Sequence, residues 1–214
     1  MKYKFKSKIN QINFREWKKI IERKKIKFFK IRKVGEVNRD KKEFATSLID
    51  TKFKFRNKIY TRAIHLEGDS VVIIPIIKDN KNIKTILIKQ FRAAIGKINL
   101  EFVSGGVINK NFRRSAIREV KEELNIKIKG KDLIELNKEP IYLMPGNNFA
   151  RAKFFAFIIK LSDTEIDKYN FLITGDKKNG EYLKTVVKNF DQLIYLKTAS
   201  VIISLKLLKD KKLI

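Results

Sequence analysis

The sequence predicts an α+β fold. Short apolar runs bounded by turn residues are mixed with stretches of helical periodicity, the two kinds do not strictly alternate, and 214 residues with 43% hydrophobic content can bury one substantial core. Composition sets a second expectation. Lys and Arg number 50 against 23 Asp and Glu, a formal charge of +27. A field of one sign concentrates polyanions at the surface, so a nucleic-acid partner, RNA or a ribosome, is one reading. The other is codon bias toward Lys, Asn and Ile, which explains the lysines better than the shortage of acids.

Residues 1–60 carry a net +15 and set off a basic N-terminal extension, 1–57, from a main domain, 58–214. Within the extension, Phe14, Trp17, Ile20, Ile21 and Phe28 recur at helical spacing, which predicts an amphipathic helix over 13–29. Either Trp17 packs it on a core or its cationic face meets RNA, with Tyr3, Phe5, Phe14, Trp17, Phe28 and Phe29 available to stack on bases. His65 falls in an expected strand and reads as structural. From Ser70 the pattern gives strands at 71–77 and 85–89 joined as a hairpin through 78–84, then a short strand at 100–103 running into Ser104, Gly105 and Gly106. A helix at 112–124, strands at 140–143, 153–159 and 181–187, a polar loop at 175–180 and closing helices within 190–211 complete the reading.

The sequence has no cysteine, so disulfides and thiolate chemistry are excluded. Apolar runs fall far short of the ~18 residues of a spanning helix, and the start lacks a secretory core, so a cytoplasmic protein without a membrane partner is expected. A mitochondrial presequence is the less favoured alternative, because the basic start is rich in Lys rather than Arg and Ser.

The stretch Arg118-Glu119-Val120-Lys121-Glu122-Glu123 carries the chemistry. At 100° per residue the three glutamates share one arc beside the apolar arc of Ala116, Ile117, Val120 and Leu124. Carboxylates so close call for a hard cation, Mg²⁺ or Mn²⁺, completed by phosphate oxygens. A solvated acidic face is the plainer alternative.

Together with Glu101-Phe102-Val103-Ser104-Gly105-Gly106, this stretch resembles the Nudix box, G-x5-E-x7-R-E-U-x-E-E-x-G-U with U aliphatic. The segments 68–75, 89–92, 101–102, 144–146 and 180–182 stand in the order of the ADP-ribose and ADP-sugar pyrophosphatase branch, so the resemblance spans about 58–211. It implies a Nudix fold, an α/β/α sandwich around a mixed sheet, and Mg²⁺- or Mn²⁺-dependent hydrolysis of a nucleoside diphosphate-linked small molecule. Carried over by motif position, Glu119, Glu122, Glu123 and the Ser104 carbonyl would hold metal. Arg118 would orient the carboxylates and Glu181 would be the general base. Arg92, Glu101, Gly105 and Gly146 would meet the substrate. The branch is commonly dimeric, so a homodimer is a further possibility.

The sequence departs from the pattern in the box loop. Gly105 and Gly106 leave it one residue short, Lys110 and Asn111 stand near the missing loop glutamate that normally braces the box arginine, and Val103 replaces a proline. Asn125 replaces the glycine after the glutamate pair, a mild change because Asn tolerates a left-handed helix end. These departures leave open a second reading, a retired scaffold that binds RNA without turnover.

Overall fold

The computed structural model describes residues 5–6, 8–24, 26–38, 45–78, 82–175 and 182–214. The chain forms two compact units, one of 1–69 with 142–151, the other of 70–141 with 152–214.

The first unit contains helix α1 (Lys8–Glu22) and strands β1 (Lys27–Asn38), β2 (Ala45–Phe55) and β3 (Lys58–Leu66), paired antiparallel in the order β1-β2-β3. The expected helix over 13–29 is therefore corrected at both ends. It begins at Lys8 and ends at Glu22, and the chain becomes a strand at Lys27. Phe28, Phe29 and Ile31 are aromatic or β-branched and suit a pleated surface better than a helix. The expected division at 57/58 falls in the two-residue turn between β2 and β3, beside the pair Phe55↔Lys58.

Trp17 is 4% exposed and Phe14 7%, and both pack with Phe5, Ile31, Ile49, Leu66 and Phe149. A chain of ring contacts runs Phe5–Phe14–Trp17–Phe28–Phe53–Tyr60, with centroids 5.2 to 5.8 Å apart. Phe5, Phe14 and Trp17 are thus core residues and are not surfaces for base stacking; Tyr3 lies outside the described residues. His65 is structural. Its backbone N–H donates to the Asn147 carbonyl at 2.7 Å, its carbonyl accepts from Phe149 N–H at 3.0 Å, and its ring meets the Thr46 hydroxyl and, through Nδ1, Asn148.

In the second unit, strands β4 (Ser70–Lys78), β5 (Ile83–Arg92), β6 (Lys97–Glu101), β7 (Val103–Gly106) and β8 (Ile134–Glu135) precede a short strand β9 (Ile141–Tyr142) at the edge of the unit. They are followed by β10 (Arg151–Ile159), β11 (Ile173–Thr174) and β12 (Leu183–Asn189). The mixed sheet runs β11-β12-β5-β4-β10-β8, with β6 on β5 and β7 on β4; β4 and β10 are parallel. Helices α2 (Phe112–Leu124), α3 (Asp163–Tyr169) and α4 (Ala199–Asp210) complete the unit. The expected α+β class with a mixed sheet is what the chain forms. The last expected strand starts at Leu183 and the closing segment divides into a 3₁₀ turn at Phe190–Tyr195 and α4. The sequence reading missed α3, whose Ser162 and Glu165 form a reciprocal capping box, and the two-residue strands β8 and β11.

Strand β4 is buried from Val71 to Ile77 although Pro75 stands in its middle, where a missing N–H would break a ladder. The pairing explains the tolerance. β4 pairs with β7 from Ser70 to Ile73 and with β5 at Ile77 and Lys78, so Pro75 lies where the antiparallel neighbour changes. Its carbonyl accepts from the Thr85 hydroxyl at 2.6 Å instead. This change of partner opens room for β7 and the loop that leads to α2.

Trp17 is the single tryptophan, so its emission reports on the first unit. Phe14→Ala removes a buried ring that touches it, and we expect about 3–5 kcal/mol of destabilisation. A urea transition followed by Trp17 emission that kept the parent midpoint would show that this aromatic chain does not hold the unit together.

Candidate active site

Helix α2 is fixed at both ends. The Asn111 side chain accepts from Arg114 N–H at 2.9 Å, and Asn125 adopts the left-handed conformation (φ 55°) with its N–H on the Lys121 carbonyl, as the substitution for glycine predicts. The shortened loop turns through two consecutive left-handed residues, Asn109 (φ 51°) and Lys110 (φ 58°), and the Ser115 hydroxyl ties Ile108 N–H to the Asn111 carbonyl. Ala116, Val120 and Leu124 are fully buried against the sheet. That packing sets the rotation of the helix.

The rotation carries Glu119 and Glu123 inward, to 6% and 9% exposure, while Glu122 stays exposed. Glu119 lies so close to β7 that a Cβ on Gly105 would meet its Oε1 at 1.8 Å. Glycine at 105 is therefore a condition for where this carboxylate sits. Arg118 bridges the set, donating to Glu119 at 2.5 Å, to Glu122 at 2.6 Å and to the Gly106 carbonyl at 3.1 Å. Its Nε is buried without a hydrogen-bond partner among the described residues. Glu119 and Glu122 brace the guanidinium from the helix side. The Thr174 hydroxyl donates to the Glu123 carbonyl at 2.7 Å and anchors the last turn of α2 to β11.

Ser104 pairs with Val72, Gly105 with Val71 and Gly106 with Ser70, so the glycines lie within a paired strand. Among the described residues no group of three or more His, Cys, Asp or Glu side chains comes together closely enough to hold a metal by itself. Glu181 lies outside the described residues.

A second cluster sits on the β5–β6 hairpin. Arg92 and Glu101 form a two-pronged ion pair at 2.8 and 2.6 Å, and Asn99 donates to Glu101 at 3.0 Å while accepting from the Thr198 hydroxyl at 3.3 Å. Burial would raise the Glu101 carboxyl, but the Arg92 bonds and charge together with Asn99 outweigh it, and the group is held below its ordinary value near 4.5. Asn99 was missed in the sequence. Its signal was the two-residue spacing from Glu101, which places both on one face of β6.

Gly146 belongs to the first unit, within a turn at 145–147 closed by Asn148 N–H on the Met144 carbonyl, and a Cβ there would meet nothing within 4 Å. Nearby in the same unit, Arg151 grips Asp69 at 2.9 and 2.6 Å, which raises the pKa of its guanidinium, and it lies over the Tyr142 and Phe149 rings. Neither Arg151 nor Asn148 was singled out in the sequence.

No family model matches the chain. Over 145 residues it is 26% identical to a protein named Nudix hydrolase 14, chloroplastic, of Arabidopsis thaliana, covering 64% of this chain and 47% of the relative. The chain thus spans about half the length of that relative. A solved structure described as an ADP compounds hydrolase superposes with a TM-score of 0.55 over 86% of this chain and 92% of the other, at 16% identity. The fold is the Nudix fold. In sequence the chain is thus similar to a Nudix hydrolase, and in fold to an ADP compounds hydrolase. Among the described residues no helix is long and apolar enough to cross a membrane.

Two substitutions test this geometry. Gly105→Ala should displace the Glu119 carboxylate from its present position, whereas Gly146→Ala, which meets nothing within 4 Å, should leave its surroundings unchanged; a crystal structure of Gly105→Ala with the Glu119 carboxylate unmoved would contradict the close approach at Gly105. Glu101→Gln should remove stability at pH 7. Because the folded pKa of Glu101 is depressed, its contribution is present above the ordinary value near 4.5 and is lost as pH falls through the lower folded value. The stability difference between parent and variant should therefore shrink below about pH 4, measured by urea titration across pH, and a constant difference would remove the ion pair as its source.

Proposed function

We propose that this chain hydrolyses a nucleoside diphosphate-linked small molecule, ADP-ribose or an ADP-sugar, with Mg²⁺ or Mn²⁺. The observation that carries the reading is the pair of carboxylates, Glu119 and Glu123, buried one helical turn apart. Carboxylates one helical turn apart on one face can share a hard cation, and Arg118 holds Glu119 and Glu122 in orientation. The donors are hard oxygens, which fit Mg²⁺ or Mn²⁺. Glu119 and Glu123 would hold the ion, with Glu122 and the Ser104 carbonyl as further ligands. When bound, the cation supplies charge neutralisation at the diphosphate.

Arg118 keeps Glu119 and Glu122 oriented, and Gly105 leaves the space Glu119 needs. Arg92 presents a guanidinium to phosphate or sugar, positioned by Glu101. Glu181 takes the proton of the attacking water as general base. The water oxygen ends on one phosphate as the bridging P–O bond breaks, releasing AMP and a sugar phosphate. Beside this activity, the charge of +27 supports cytoplasmic association with RNA or the ribosome.

Incubation with ADP-ribose and Mg²⁺ should release AMP, and Glu123→Gln should lower the rate at least about 100-fold, since even residues behind a metal ligand cost 10–100-fold. Absence of AMP from ADP-ribose, ADP-sugars and dinucleotides would leave a retired scaffold, a reading that the unanswered Nε of Arg118 favours.

A further inference from the structure

We propose that the outer face of the three-stranded sheet in the first unit is a binding surface for single-stranded RNA, centred on Lys27, Lys30, Lys52, Lys54 and Phe29. This rests on the RNA reading above and names the surface responsible for it.

The inner face of the sheet carries Phe28, Ile31, Ile49, Thr51 and Phe53 toward α1, so their strand neighbours point outward. The cross-strand register sets Lys27 opposite Lys54 and Lys30 opposite Lys52. Neighbouring strands lie about 4.8 Å apart and alternate residues about 6.7 Å apart, so the four ammonium groups spring from one compact parallelogram. All four are exposed, and no ion pair with a carboxylate engages them among the described residues. Like charges directly opposite across a strand pair destabilise a sheet. Two successive rows of them are a liability that an external polyanion removes.

A β-bulge makes the second row possible. The register slips between Phe28 and Lys30, so Phe29 has no partner and the alternation shifts by one residue. Lys30 thereby joins Lys27 on the outer face, and Phe29 is pushed into solvent at 51% exposure with Lys27 over its ring at 6.0 Å. An exposed aromatic ring among lysines is the pairing that single-stranded nucleic acid meets with a stacked base and its flanking phosphates.

The surroundings point the same way. Over 27–38 and 45–66 the sequence holds nine Lys and Arg against two acids, Glu36 and Asp50. Glu36 is turned inward, its carboxylate accepting from Asn10 and Lys33, and Asp50 pairs with Arg32 at 3.6 Å. Neither acid is paired with the four lysines among the described residues. A second copy of the chain would present the same charge and be repelled. A nucleic-acid strand carries about one negative charge per 3.4 Å, a spacing that the two lysine rows answer, and Leu48 and Ile59 are exposed on the same sheet as Phe29 as further apolar surface for bases.

The test is fluorescence anisotropy of a labelled oligouridylate with the full chain, titrated between about 50 and 200 mM salt. The variant K27Q/K30Q/K52Q/K54Q should bind at least about tenfold more weakly, with the slope of log affinity against log salt reduced by about 3, at roughly 0.7 per lost phosphate contact. A control, K127Q/K131Q/K138Q/K168Q, removes four exposed lysines of the second unit and should bind as the parent does. On the parent itself, RNA should protect Lys30 and Lys52 from amine acetylation, a readout that does not depend on any variant folding. If the parent binds and the first variant matches it, or if acetylation of Lys30 and Lys52 is unaffected, the surface is wrong while RNA association stands. A parent that binds no RNA overturns both. Loss of binding to phosphatidylserine vesicles with RNA binding intact would assign the face to membranes and overturn the proposal.

Discussion

The burial of two carboxylates on an otherwise apolar helix face is the constraint around which the second unit is arranged. Ala116, Val120 and Leu124 give α2 its seat on the sheet, and that seat leaves no rotation in which Glu119 and Glu123 both reach open water. Desolvating an ionised carboxylate costs several kcal/mol, so the neighbours must answer for it. Gly105 gives up its side chain to admit Glu119, and Arg118 spends donors on Glu119 and Glu122.

The sheet makes room for that helix through a proline. By standing where β4 exchanges β7 for β5, Pro75 lets one strand serve two antiparallel neighbours on the same edge. The loop after β7 can then turn into α2 in a few residues. β5, released from β4 beyond Thr85, continues with β6 as a hairpin that carries Arg92, Asn99 and Glu101 on one face. The same local break thus serves both the carboxylate helix and the cationic hairpin. Asn109 and Lys110 show the strain of the shortened loop, since two successive left-handed residues without glycine are costly.

How much of this could be read in the sequence depended on the range of the interaction. The limits of α2 were legible because capping residues and periodicity are local, and Asn125 announced its left-handed conformation by standing where glycine would. The core strands β4 and β5 were legible as apolar runs. The three-stranded sheet was not, because Lys alternating with Phe, Ile and Val along β1 also satisfies a helical pattern over a short window, and the bulge at Phe29 breaks the period of two that would have exposed it. Arg151 with Asp69 and Asn148 with His65 were hidden for another reason. Their partners lie more than 80 residues away, and only the fold brings them together. The separation of Glu122 from Glu119 and Glu123 was hidden as well, since helical angles place all three on one arc and the depth of packing decides which are buried.

The first unit shows how a sheet tolerates a face of like charge. Two ammonium groups about 5 Å apart in water repel by roughly 0.8 kcal/mol, and screening by salt reduces this further. Directly beneath the lysine rows, on the other side of the same backbone, Phe28 meets Phe53 at 5.7 Å and Phe53 stacks on Tyr60 at 5.5 Å. Aromatic contacts of this kind contribute about 0.5–1.5 kcal/mol each beyond the area they bury. The inner rows therefore outweigh the outer ones, and the sheet can hold its lysines in register although the one acid beside them, Asp50, is paired with Arg32. Neutralising those lysines with carboxylates would have stabilised the unit more simply, at the loss of a surface on which a polyanion meets charges already fixed in place.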